Sequence, residues 1–189
     1  MSAASASVGY VTWEDRYPAD RLVPYDPGWA ESYRVIAAGL RDALGPSWRV
    51  EHVGSTSVPG LIAKPVIDVA LGIPTGESTT GPQLAFAGSG WTATVPIGDH
   101  EATFLLDGTV RTAIGHLFTA EQWPAAHVRL FARWLREHHQ DRDRYADLKR
   151  TLVARGSWGS DYTTAKGGFV LEIVNHARSE LGLHPLTSL

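Results

Sequence analysis

One stretch of the chain has residue types and spacing that could do chemistry. It reads HVGSTSVPGLIAKPVID, from His52 to Asp68. A strand-like segment runs into Gly54-Ser55 and opens onto a predicted short helix that stops before Pro65. Glycine lets a ligand approach the main chain, and a helix start offers N–H groups without intrahelical partners. Ser55, Thr56 and Ser57 add hydroxyl donors. Together these suit an anion such as a phosphate. The next strand delivers Asp68, an oxygen ligand of the kind Mg2+ takes beside a phosphate. A capped serine turn and a surface aspartate would use the same residues, so it is the joint pattern that points to a site. Lysine usage adds a second signal. Only Lys64, Lys149 and Lys166 are lysines among the 17 basic residues. A compact ammonium wanted in place of a guanidinium fork is one reason to keep a lysine; a coding bias toward arginine is the other.

The elements that must position these residues follow from periodicity. Asp26 is suited to cap a helix and Pro27 to begin one. Trp29, Tyr33, Ile36, Leu40 and Leu44 then recur at helical spacing, and Gly45-Pro46 ends the run. Residues 48–53 and 66–73 read as strands. In the second, Ile67, Val69, Leu71 and Ile73 share one greasy face. Val66, Asp68, Ala70 and Gly72 share the other, which suits a pocket floor. Residues 74–82 read as a loop and 83–87 as a short helix. Residues 91–95 and 102–106 are further strands, and Asp107-Gly108 is a hairpin signal with 109–118 returning. Residues 125–138, 142–154 and 163–181 are helical. The order predicts an α/β fold with a mixed sheet, helices packed on one side, and a helical C-terminal part.

Composition narrows the classes. The chain has 189 residues, 43% hydrophobic and 20% charged, which suits one folded domain. There are no cysteines, so disulfides and thiolate metal sites are excluded. A net charge of −3 does not favour indiscriminate binding to nucleic acid. Arginines cluster over 129–155, but Glu137, Asp141, Asp143 and Asp147 interleave with them, which reads as paired helix-surface charge. No apolar run reaches the ~20 residues of a membrane span. The first ten residues lack the features of a signal peptide, so a cytoplasmic protein and no membrane partner are expected.

The strings PYDPGW, EHVGSTSVPGLIAKPVID and GHLF, followed by LFARWLREH, Y..LK and Y...K..F, resemble the GrpB family. That family is similar in fold to the nucleotidyltransferase superfamily. The resemblance spans about residues 23–177. It implies a tail over 1–22 and a nucleotidyltransferase-like domain with C-terminal helices over 23–184. It also implies roles. Gly54 and Ser55 match the phosphate-binding turn, and Asp68 matches the first metal carboxylate of an Asp-x-Asp pair. The second position of that pair falls at Ala70, which has no oxygen to give. Asp99, Glu101 and Asp107 on the neighbouring hairpin are candidates for a further acid. Arg133 stands where the family usually carries an acid. Lys64 matches the lysine of the AKP string, and Lys149 and Lys166 match positions on the C-terminal helices. With Arg133 and Arg136 they would form a cationic wall. His116 matches the strand histidine and would act as a base or hydrogen-bond a ligand. Tyr162 would stack on a ligand, and His52 would orient the turn.

The expected function is a nucleotidyltransferase-like enzyme that binds a nucleotide or a phosphorylated small molecule, with Mg2+ as candidate cofactor. Asp68 and His116 would be catalytic. Gly54, Ser55, Thr56, Ser57, Lys64, Arg133, Lys149, Tyr162 and Lys166 would bind. The missing carboxylate at Ala70 puts two-metal chemistry in doubt. It leaves open a metal-independent enzyme acting on a small metabolite, or a ligand-binding module without catalysis.

Overall fold

A computed structural model describes residues 22–78, 89–108, 110–157 and 159–189, side chains 159 and 160 aside. The expected N-terminal tail, Leu22 excepted, and the expected short helix over 83–87 lie outside these residues. Helix α1, Gly28–Leu44, begins where Asp26 Oδ1 accepts from the Gly28 amide at 2.8 Å. It ends at Gly45, whose φ of 89° turns the chain out of the helix. Five strands follow: β1 Arg49–Val53, β2 Ile67–Gly72, β3 Val95–Ile97, β4 His100–Asp107 and β5 Val110–Phe118. Their order is β1-β2-β5-β4-β3, parallel only between β2 and β5. Helices α2 His127–Glu137, α3 His139–Ala154 and α4 Gly159–Glu180 complete the fold.

The alternation of β2 separates two packing layers. Ile67, Val69, Leu71 and Ile73 bury against Trp29 and Leu40 of α1 and against Trp48. Ala70 faces the other way, into a layer with Val53, Phe118, Trp123, Ala126 and Ala132. A third cluster joins Val58 and Leu61 to α2, α3 and α4. Helices therefore cover both faces, α1 on one and α2 on the other, and not one face as the element order suggests. Ala126, which precedes α2, and Ala132 within it are small members of that layer.

Two local expectations fail for physical reasons. The serine corner opens a single 3-10 turn, Ser55–Ser57, and no helix. Val58-Pro59-Gly60 stops it, with Gly60 at φ 79°. The chain then runs extended, and Ala63 pairs with Val23 through amide bonds of 2.9 and 3.0 Å. The strand expected at 91–95 reduces to a bridge from Trp91 to Leu105, and the edge strand forms at Val95–Ile97.

Candidate functional site

The site is built where β1 hands over to the serine turn beside β2. The register pairs Val53 with Asp68, so Gly54 lies against the Asp68 carboxylate. Gly54 has φ 67° and ψ −173°, and a Cβ there would fall 2.1 Å from Asp68 Oδ2. Only glycine fits, for backbone and steric reasons alike.

The three hydroxyls of the corner do different things. Ser57 Oγ donates to the Gly54 carbonyl at 2.7 Å and closes the turn. Thr56 is buried and donates to the Val66 carbonyl at 3.4 Å. With that proton committed, His52 Nε2 is the donor in its 3.1 Å contact with Thr56 Oγ1. His52 stacks on Tyr33 at 4.6 Å, and burial, then Arg136, push its pKa down to about 4. It is a neutral brace. Arg136 clamps the corner from outside, donating to the Ser57 carbonyl at 3.0 Å and the His52 carbonyl at 2.7 Å. Of the expected anion-binding hydroxyls, Ser55 alone lines the cleft. The amides of Ser57 and Val58 are used inside the turn, which leaves those of Ser55 and Thr56.

The lysines supply the rest of the charge. Lys149 of α3 is buried; its Nζ donates to Ser55 Oγ at 3.1 Å and also to the Ile62 carbonyl. Burial first, then Lys166 and Arg150, hold its pKa well below the usual lysine value, against the pull of Asp68. Lys166 of α4 is lowered to about 8 by burial first and by Lys64 second. Lys64 and Lys166 lie over the Tyr162 ring, 4.2 and 4.3 Å from its centre. All three lysines of the protein thus line one cavity of about 210 Å3, with Ser55, Asp68, Arg111 and Tyr162. Tyr162 packs beneath the ammonium groups. Arg133 is placed elsewhere: it lines neither cavity, and its buried Nε has no hydrogen-bond partner. With Arg136 spent on carbonyls, the expected cationic wall is made of lysines and Arg111.

A second cavity of about 630 Å3 adjoins the first and shares Ser55, Asp68, Thr163 and Lys166 with it. Its wall carries a row of polar groups. His116 Nε2 is 3.5 Å from Asp68 Oδ1. His116 Nδ1 meets His100 Nε2 at 3.0 Å, and His100 Nδ1 meets Asp99 Oδ1 at 3.0 Å. His127 comes within 3.7 Å of the same oxygen, and burial pushes its pKa down to about 4. Burial likewise lowers His100. Sequence reasoning singled out His116 and passed over His100, His127 and Arg111. The β4 to β5 pairing of Ala102 with His116 sets His100 on the same face. Two-residue alternation held that signal, but the register was needed to use it. Of the candidate acids, Asp99 reaches this wall. Glu101 pairs with Leu117 and so faces the α1 side, and Asp107 ends its strand at the hairpin.

The fit to a two-ion metal centre is poor. Asp68 offers one carboxylate. Ala70 is fully buried between sheet and helix, and two ions clamped about 3.5–4 Å apart need shared acids.

A mixed sheet entered by a Gly-Ser turn, with an acid on the next strand facing that turn and helices closing the cleft, defines a nucleotidyltransferase-type fold. The solved GLD-2/RNP-8 structure has this fold in common, with a TM-score of 0.52 at 10% identity over 82% of this chain and 61% of that one. The chain belongs to the GrpB family, whose profile, described as GrpB protein, matches residues 20–176. It is 36% identical over 163 residues to a UPF0157 protein of Halalkalibacterium halodurans, covering 84% of this chain and 82% of that one. The crystal structure of GrpB from Enterococcus faecalis matches with a TM-score of 0.73 at 25% identity, over 85% of this chain and 99% of that one. No helix among the described residues is long and apolar enough to cross a membrane.

Proposed function

We propose that the protein is a group-transfer enzyme that binds a nucleotide or another phosphorylated small molecule. The observation that carries this reading is the convergence of all three lysines on Ser55 and Asp68. Three lysines gathered around Ser55 and Asp68 suit an anion, whose charge would favour their protonated forms. Phosphate oxygens would lie against Ser55, Lys64, Lys149 and Lys166, and the organic part of the ligand in the larger cavity, whose volume is ordinary for such sites. Fixed cations aimed at the transferred group stabilise charge that develops there. The lysines thus take the role that a second ion would have where Ala70 gives no ligand. Asp68, which lines both cavities, would accept the proton of the attacking group, and His116, 3.5 Å from it on the wall of the larger cavity, would position it.

Calorimetry with the common nucleoside triphosphates, with Mg2+ and with EDTA, tests the reading. Binding is expected to survive EDTA and to weaken at least tenfold in Lys166→Met. Absence of binding for every nucleotide and for inorganic phosphate would reject it.

A further inference from the structure

Three histidines and two aspartates stand along the wall of the larger cavity, and the proposed transfer uses only Asp68 and His116. His100 is buried and stacked on Phe118 at 4.6 Å. Gln122 Nε2 donates to the Asp99 carbonyl at 2.7 Å and fixes the main chain there. Donor atoms of Asp99, His100 and His127 all lie within 4.8 Å of one another.

Asp99, His100 and His116 are linked by two contacts of 3.0 Å. With one N–H on its ring, His100 donates either to Asp99 or to His116. When His100 Nε2–H donates to His116 Nδ1, His100 Nδ1 turns a lone pair toward Asp99 Oδ1. His127 Nδ1 stands 3.7 Å from that same oxygen. In that tautomer two imidazole nitrogens and a carboxylate oxygen face one another closely enough for a single cation to join them.

We propose that Asp99, His100 and His127 bind a divalent transition-metal ion of the zinc type. Two imidazoles and a carboxylate suit Zn2+, not Mg2+ or Ca2+, which prefer oxygen alone. Metal bonds of about 2.0–2.1 Å would turn donor separations of 3.0 and 3.7 Å into angles of roughly 95° and 130° at the ion. With those two angles kept, the third separation must close below about 3.8 Å, through rotation of Asp99 or His127. The three protein ligands leave a position open toward the cavity. His116 serves as the outer partner that fixes the tautomer of His100, and Asp68 anchors His116 in turn. This arrangement leaves Asp68, not His116, as the proton acceptor at the junction. The site stands apart from the nucleotide reading, because none of its three ligands belongs to the lysine cavity.

The test uses the full chain, stripped with a chelator and returned to chelator-free buffer. Zn2+ is titrated by calorimetry, and Co2+ by its visible absorption. One equivalent of each is expected, with Co2+ bands of a four- or five-coordinate ion. Asp99→Asn and His127→Gln each weaken Zn2+ binding at least tenfold, and His116→Ala weakens it about tenfold through its outer-shell contact. Asp99 has a largely exposed side chain, so its variant keeps the fold, as an unchanged melting temperature would verify. His139→Ala/His184→Ala, which removes two exposed histidines, leaves affinity and stoichiometry unchanged. Failure of both ions to bind, or unchanged binding in Asp99→Asn and His127→Gln, overturns the site. Either result leaves nucleotide binding at the lysines to be judged on its own assay.

Discussion

Raising the pH from about 7 to about 9.5 is expected to stabilise the ligand-free protein by roughly 2 kcal/mol. The source is Lys166, whose pKa falls from 10.5 to about 8 through burial first and Lys64 second. Between those two values the unfolded chain keeps a proton that the folded protein has released. Stability therefore rises with pH across that window, and the burden is fully present below about 8. The whole gap corresponds to about 3 kcal/mol, of which roughly two-thirds is recovered by pH about 9.5. Lys149, depressed by burial, acts in the same direction. Urea unfolding at a series of pH values measures the slope. Lys166→Met should flatten it and raise stability at neutral pH. Saturating inorganic phosphate should also flatten it, because an anion beside Lys166 lets the ammonium stay charged. A Lys166→Met protein with the parent's slope would refute the argument, since the charge conflict would then lie outside the cleft.

Other outcomes are expected at the same corner. Gly54→Ala should lower stability by about 2–4 kcal/mol, read as a fall in melting temperature, because its φ is strained for alanine and the new methyl overlaps Asp68. Arg136→Ala should cost about 2–3 kcal/mol in urea unfolding, leaving the carbonyls of His52 and Ser57 without their charged donor. Ala70→Asp restores the superfamily acid in sequence only. It should destabilise by more than about 3 kcal/mol and gain no Mg2+ binding in calorimetry, because the site is sealed by Phe118, Trp123 and Ala132.

Much of the fold was readable because burial imposes period. The greasy alternation of β2 located Asp68 and Ala70 on their face, and the three- and four-residue spacing from Trp29 to Leu44 found α1. The GrpB resemblance then named the fold. Local punctuation was harder to weigh: serines suggested a helix start after Gly54, yet Pro59 and Gly60 prevailed within one turn. Arg133 could not be placed from its position on α2 alone, because a helix face is oriented by what packs on it. The row of His100, His127 and Asp99 depends on strand register and on where α2 begins. Neither is written in any short stretch of residues. The gathering of the lysines, by contrast, was legible in the family positions that Lys64, Lys149 and Lys166 match, while their rarity only set them apart.

That gathering has a practical consequence. A chain that meets its surface needs with arginine presents side-chain amines in one place only. Acylating or reductively methylating reagents would find, apart from the α-amino group, little to modify except Lys64 and Lys166, since Lys149 is enclosed. With its amine half unprotonated near pH 8, Lys166 is the more nucleophilic of the two expected targets. Ordinary amine labelling, usually too indiscriminate to report on a single region of a protein, would here act as a footprint of whatever occupies the cleft.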